Sequence, residues 1–182
     1  DYNKGTGASL SSFLYEGTEY LAPQLDIFDA LGSQKADYVT LTIGGNDADF
    51  TGIVTCMALT TSYLTPNAIS YKLDKVWKKF YEPSGIKENL KDTYKRIAEK
   101  AGDQAHIIVA GYPKLFYEKT ADYYLSPVID KQEVNKVNGS VSRFNYEISK
   151  IVKNCQKENL NIEFVSVEKG FDGHEAYSDN PY

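Results

Sequence analysis

Three short runs of β-forming residues, separated by helical stripes, constrain this chain more than any other feature. Segment 37–43 alternates Val39, Leu41 and Ile43 against Tyr38, Thr40 and Thr42, and Gly44-Gly45 ends it. Segment 106–110, His-Ile-Ile-Val-Ala, is stopped by Gly111-Tyr112-Pro113, and segment 162–167, Ile-Glu-Phe-Val-Ser-Val, is a third strand. Between them the apolar period lengthens to that of a helix. Ile86, Leu90, Tyr94, Ile97 and Ala101 follow 3–4 spacing, with Pro83-Ser84 ahead and Gly102 just beyond. Val134, Val137, Val141, Phe144, Ile148, Ile151, Val152 and Cys155 make a longer stripe of the same kind. Segment 18–30 reads as helix, with Pro23 in its first turn or breaking it. Helix, strand, helix, strand, long helix, strand implies a parallel sheet with crossover helices, an open α/β sandwich covered on both faces.

The stretch 56–84 is less regular, with Pro66-Asn67, Trp77 and several tyrosine and phenylalanine side chains. It reads either as a functional loop or as a solvent-facing insertion with a short helix near 69–80. At 182 residues the chain fits one domain with a real core. A net charge of −5 gives no electrostatic footprint for nucleic acid or an anionic membrane. No apolar run approaches the ~20 residues of a membrane span. Cys56 and Cys155 match no metal-ligand or redox spacing. Cys155 falls on the apolar stripe, which favours buried thiols over a long-range disulfide.

In open α/β sheets, ligands bind outside the carboxyl ends of the strands. Gly44-Gly45-Asn46-Asp47 leaves the first strand at that end, and His174 follows the third strand after a short loop. His106 opens the second strand, at the opposite edge. A His and an Asn at one edge suggest acyl transfer: the imidazole takes a proton from a nucleophile, and the amide donates to a developing oxyanion. Asp47 reads as the N-cap of the next helix, leaving Asn46 for chemistry. Asp47 and Asp49 lack a third partner for a hard metal. On spacing alone, the motif can also be read as a plain turn and His174 as a surface loop histidine.

Val39-Thr40-Leu41-Thr42-Ile43-Gly44-Gly45-Asn46-Asp47, with Phe50 after it, resembles the G-x-N-D block of the SGNH (GDSL-type) hydrolases, in the branch of secreted actinobacterial esterases and lipases. Ile108-Val109-Ala110-Gly111-Tyr112-Pro113 resembles that branch's strand ending in Gly-Tyr-Pro. Phe171-Asp172-Gly173-His174-Glu175 resembles its Phe-x-Gly-His block. The three stand in the family's order and separations.

The resemblance implies that Asn46 donates to the oxyanion and that His174 is the general base. Gly5-Thr6-Gly7-Ala8 is similar to the family's second block, so Gly7 is the expected backbone donor to the oxyanion hole. No Gly-Asp-Ser occurs in the 182 residues. The nucleophilic serine, and the central strand that bears it, are therefore expected upstream, and this piece alone is not expected to turn over ester. The implied fold is a three-layer α/β/α, flavodoxin-like open parallel sheet, of which the chain supplies three of five strands; residues 1–182 are a partial hydrolase domain. Many members carry an Asp three residues before the His, where this chain has Phe171. Asp172 is the substitute candidate, a backbone carbonyl the alternative, and Glu175 is expected to face solvent. The reaction needs no metal or organic cofactor. The implied partner is a small-molecule, lipid or carbohydrate ester, and the implied location is outside a bacterial cell. Rival readings are a carbohydrate O-acetylesterase or phospholipase on the same fold, or a non-catalytic binding module.

Overall fold

A computed structural model of the chain describes residues 24–31, 35–59, 67–118 and 131–181. Its strands are β1 (Tyr38–Leu41), β2 (His106–Ala110) and β3 (Ile162–Val165). Its helices are α1 (Ile27–Ala30), α2 (Phe50–Leu59), α3 (Ala68–Tyr81), α4 (Ile86–Ala101) and α5 (Lys131–Lys157). The strands form one parallel sheet in the order β1-β2-β3. Tyr38 is in register with His106, and Ile107 with Ile162. All three strand expectations hold: β2 fills its run, and β1 and β3 are confined to the part of theirs where ladder pairing is made.

The helical stripes fold as their spacing dictates. Every residue of the two predicted stripes is buried, from Ile86 to Ala101 on α4 and from Val134 to Cys155 on α5. The Ser84 N–H, just ahead of the N-cap Gly85, donates to the Glu88 carboxylate at 2.8 Å, which ties the incoming chain to the first turn of α4. α4 and α5 pack on each other, and α5 packs on β3. Ile107, Val109 and Ile162 meet this helical layer and are buried.

The other sheet face differs sharply. Tyr38 is 71% exposed and Val165 41%. Of the three expected layers, the described residues supply the sheet and one helical layer. Among those residues β1 also has a strand partner on one side only.

Two expectations change here. The short helix expected near 69–80 is present as α3, fourteen residues long, but it does not face solvent, and α2 runs to Leu59 ahead of it. Ile69, Leu73, Val76 and Phe80 of α3 are buried in the core, so the segment is part of the fold. Segment 18–30 is described only from Gln24, as a 3₁₀ turn leading into α1. Cys155 is buried and Cys56 half-buried, and the two are not bridged to each other, which agrees with the expectation from the apolar stripe.

Candidate active site

β1 delivers the chain into a tight turn. Ala48 N–H donates to the Gly44 carbonyl at 2.9 Å, and Phe50 N–H to the Gly45 carbonyl at 3.1 Å. Gly44 sits at φ +101, where a side chain is strained, and an added Cβ would lie 3.1 Å from the Phe144 ring. At Gly45 an added Cβ would meet the Tyr112 ring at 3.0 Å. The two glycines thus let the turn lie flat against two aromatic side chains, and they leave Asn46 exposed at its apex.

Tyr112 is the anchor of this turn. Its hydroxyl accepts the Gly45 N–H at 2.8 Å, and its ring contacts Phe50 edge-on at 5.2 Å between centroids. Phe144 closes the cluster against Phe50, Phe80 and Tyr112. Burial pushes the Tyr112 hydroxyl up to about 12, so it remains a neutral phenol. A cavity of about 260 Å³ opens here, lined by Thr42 to Asn46, Phe50 and Tyr112.

Asp47 departs from its expected role. α2 begins at Phe50, so Asp47 lies two residues too early to cap it. Its carboxyl is buried instead, with Oδ2 lacking a hydrogen-bond partner. Burial raises its pKa to about 6, with Lys79 acting in the opposite direction. The Lys79 ammonium reaches the Asp47 main-chain carbonyl at 3.2 Å. Asp49 pairs with Lys72 at 3.1 Å. Among the described residues no group of three His, Cys, Asp or Glu side chains is arranged to hold a metal.

The second loop leaves β3 at the same edge. A 3₁₀ turn, Glu168–Phe171, precedes His174, whose N–H donates to the Phe171 carbonyl at 2.9 Å. His174 Nδ1 lies 2.7 Å from the Asn180 carbonyl oxygen. An imidazole nitrogen that close to a carbonyl carries the proton, so the neutral ring keeps its lone pair on Nε2. Asp172 is exposed. Glu175 corrects the expectation of a solvent-facing residue: it is 9% exposed, and its carboxylate accepts the Gly173 N–H at 2.8 Å. A carboxylate that close to the chain satisfies a turn donor that water would otherwise have to reach.

This loop is tied to the exit of β2. Ala176 N–H donates to Leu115 O, and Tyr117 N–H to Ala176 O, both at 3.1 Å. Two asparagines on α5 hold that exit in turn. Asn145 accepts the Tyr112 N–H and donates to the Tyr112 carbonyl, both at 2.8 Å. Asn138 accepts from Leu115 and Phe116 N–H at 3.2 Å and donates to the Phe116 carbonyl at 2.6 Å. Glu168 completes the tie, accepting from Asn145 at 2.7 Å and from Ser142 at 2.8 Å.

Asn46 and His174 therefore both lie at the carboxyl edge of the sheet, on the exits of β1 and β3. His174 does not line the cavity beside Asn46. His106 starts β2 at the amino edge, where its Nε2 is 3.1 Å from the Glu163 carboxylate. Gly7 lies outside the described residues. Sequence reasoning missed the supporting roles of Tyr112, Asn138, Asn145 and Glu168. The readable signal was the pair of asparagines seven positions apart on an otherwise apolar stripe.

No protein-family model matches the chain, and no curated protein sequence matches it. Two solved structures do. Phospholipase A1 from Streptomyces albidoflavus NA297 is 24% identical with a TM-score of 0.64, covering 86% of this chain and 61% of its own. The extracellular lipase from Streptomyces rimosus is 23% identical with a TM-score of 0.65, covering 86% of this chain and 62% of its own. The chain thus spans about three-fifths of the length of these structures. At such identities the likeness is one of fold, and the α/β architecture with its parallel sheet is theirs.

Proposed function

We propose that this chain is part of an SGNH-type serine ester hydrolase and carries the oxyanion donor and the general base of its active site. The strongest support is the emergence of Asn46 and His174 at one sheet edge, His174 with Nδ1 on a main-chain carbonyl. Ordinary strand spacing puts β1 and β3 about 10 Å apart across β2, a gap that a bound ester and a serine side chain can bridge.

In this reading a serine outside the 182 residues attacks the ester carbonyl carbon, and His174 Nε2 takes its proton. The carbonyl π electrons move to oxygen, where the Asn46 amide and the Gly7 N–H donate hydrogen bonds. The imidazolium, steadied at Nδ1–H by the Asn180 carbonyl, then protonates the departing alkoxide. Water repeats the sequence on the acyl-serine and releases the acid. The Asn180 carbonyl takes the orienting role here, and Asp172 is left to solvent. No metal or organic cofactor is required. The extracellular relative supports secretion, and no helix among the described residues is long and apolar enough to cross a membrane.

The test is hydrolysis of aryl butyrates by the whole protein that contains this chain. Asn46→Ala is expected to lower kcat by about 100- to 1000-fold. His174→Ala is expected to lower it by about 10⁴-fold or more. Unchanged turnover in both variants overturns the assignment and leaves the non-catalytic binding module as the better account.

A further inference from the structure

Asn46 also borders a second, larger opening. A cleft of about 560 Å³ runs between the Asn46–Asp49 turn and α3. The helix presents a biased face to it. α3 carries four lysines and one acid, and Lys72, Lys75 and Lys79 line the cleft while Asp74 does not.

The three cations differ in how they are engaged. Lys72 pairs with Asp49, and Lys79 is held on the Asp47 carbonyl. The Lys75 ammonium lies 4.6 Å over the Tyr71 ring and has no carboxylate partner among the described residues. Three ammonium groups thus face two carboxylates, those of Asp47 and Asp49, leaving a surplus of positive charge. The cleft is not wholly polar, because Cys56, Ala68 and Val76 also line it. A positive rim over an apolar wall suits an oxyanion attached to an aliphatic portion.

We infer that this cleft is a subsite for an anionic group, a phosphate or a carboxylate, carried by the ester substrate and held by Lys72 and Lys75. The inference rests on the hydrolase reading, since it makes Asn46 the boundary between the reacting carbonyl and the charged part of the same molecule. Lys79 is left out of the binding role because its ammonium is committed to the turn.

NMR titration of the chain with butyl phosphate, inorganic phosphate and butanol tests it. Butyl phosphate is expected to shift the Asn46, Tyr71 and Lys75 amides saturably and to bind about fivefold tighter than inorganic phosphate, with butanol inert. Lys72→Ala with Lys75→Ala should weaken butyl phosphate about fivefold, and 0.5 M salt should also weaken it. The paired Arg variants should restore binding, while Lys91→Ala with Lys95→Ala should leave it unchanged. Preserved spectral dispersion identifies folded variants. No saturable shift, equal affinity for the two phosphates, or an affinity untouched by the double alanine variant overturns the subsite. If Asn46-dependent ester hydrolysis survives that result, the hydrolase reading stands without it. If anion binding is found but hydrolysis ignores Asn46, the hydrolase reading falls and only an anion-binding cleft remains.

Discussion

The two loops at the carboxyl edge of the sheet are built by opposite means. The turn after β1 is held by side chains: the Tyr112 hydroxyl on Gly45, the Phe50, Tyr112 and Phe144 rings beneath it, and Lys79 at its far side. The loop after β3 is held mainly by main-chain groups: its own N–H groups donate to the Phe171 and Leu115 carbonyls, and the Asn180 carbonyl receives the His174 ring, with few buried side chains besides. The difference suits the roles proposed above for Asn46 and His174. An oxyanion donor works by being fixed before charge develops. A general base takes a proton from the nucleophile and then delivers it to the leaving group, and a ring pinned at one nitrogen can serve both from the other.

The contrast predicts that damage to the first loop acts locally, while damage to the second spreads through the β2 exit. The largest stability effect is expected at Asn138, where one buried amide serves three main-chain groups. Asn138→Ala should cost about 2–3 kcal/mol in urea unfolding and loosen amide exchange at Leu115, Phe116 and Ala176 together. Confinement of the change to Phe116 would break the proposed coupling.

Next comes Asp47. Its pKa is about 6 in the folded chain against 3.8 for the free side chain. The native state therefore binds the extra proton between these values. The sign follows: the carboxyl costs nothing below about pH 4, and its cost grows through pH 6 to about 3 kcal/mol. Asp47→Asn is expected to stabilise the protein by about 2 kcal/mol at pH 7 and by little at pH 4, since Asn also lacks a partner for part of its amide. Equal effects at both pH values would refute the buried carboxyl.

The smallest expected effect is at Tyr112. Tyr112→Phe removes the acceptor of the Gly45 N–H but keeps the ring. A loss of about 1 kcal/mol, with larger shifts at Gly45 and Asn46 than at His174, would confirm that the first loop is braced independently of the second.

Much of this arrangement was legible in the chain. The strands and the stripes of α4 and α5 were readable because each has a clean period, and β1, β2 and α4 also end at a glycine. α2 was not, since Phe50-Thr51-Gly52-Ile53-Val54-Thr55 is rich in residues that favour strands, and only tertiary burial makes it helical. α3 was readable as a short helix near 69–80, but its irregular surroundings and the preceding Pro66-Asn67 left its burial unread. In the site, sheet polarity alone separated His174 from His106. The roles of Tyr112, Asn138 and Asn145 depend on contacts between residues more than twenty positions apart, which local patterns do not encode. Asp47 and Glu175 were misjudged for one reason: both are acids beside a turn, and whether such an acid faces water depends on what packs above it.

The register of the sheet also bears on how the chain reaches its native state. Tyr38 must find His106, and Ile107 must find Ile162, each across an intervening helical stretch. No strand pair can form by zipping outward from a hairpin, so loop-closure entropy is spent before any ladder bond is gained. Folding is expected to be slow beside that of a helical bundle of equal length. The edge at which Asn46 and His174 both emerge comes into being only after both long-range pairings are made.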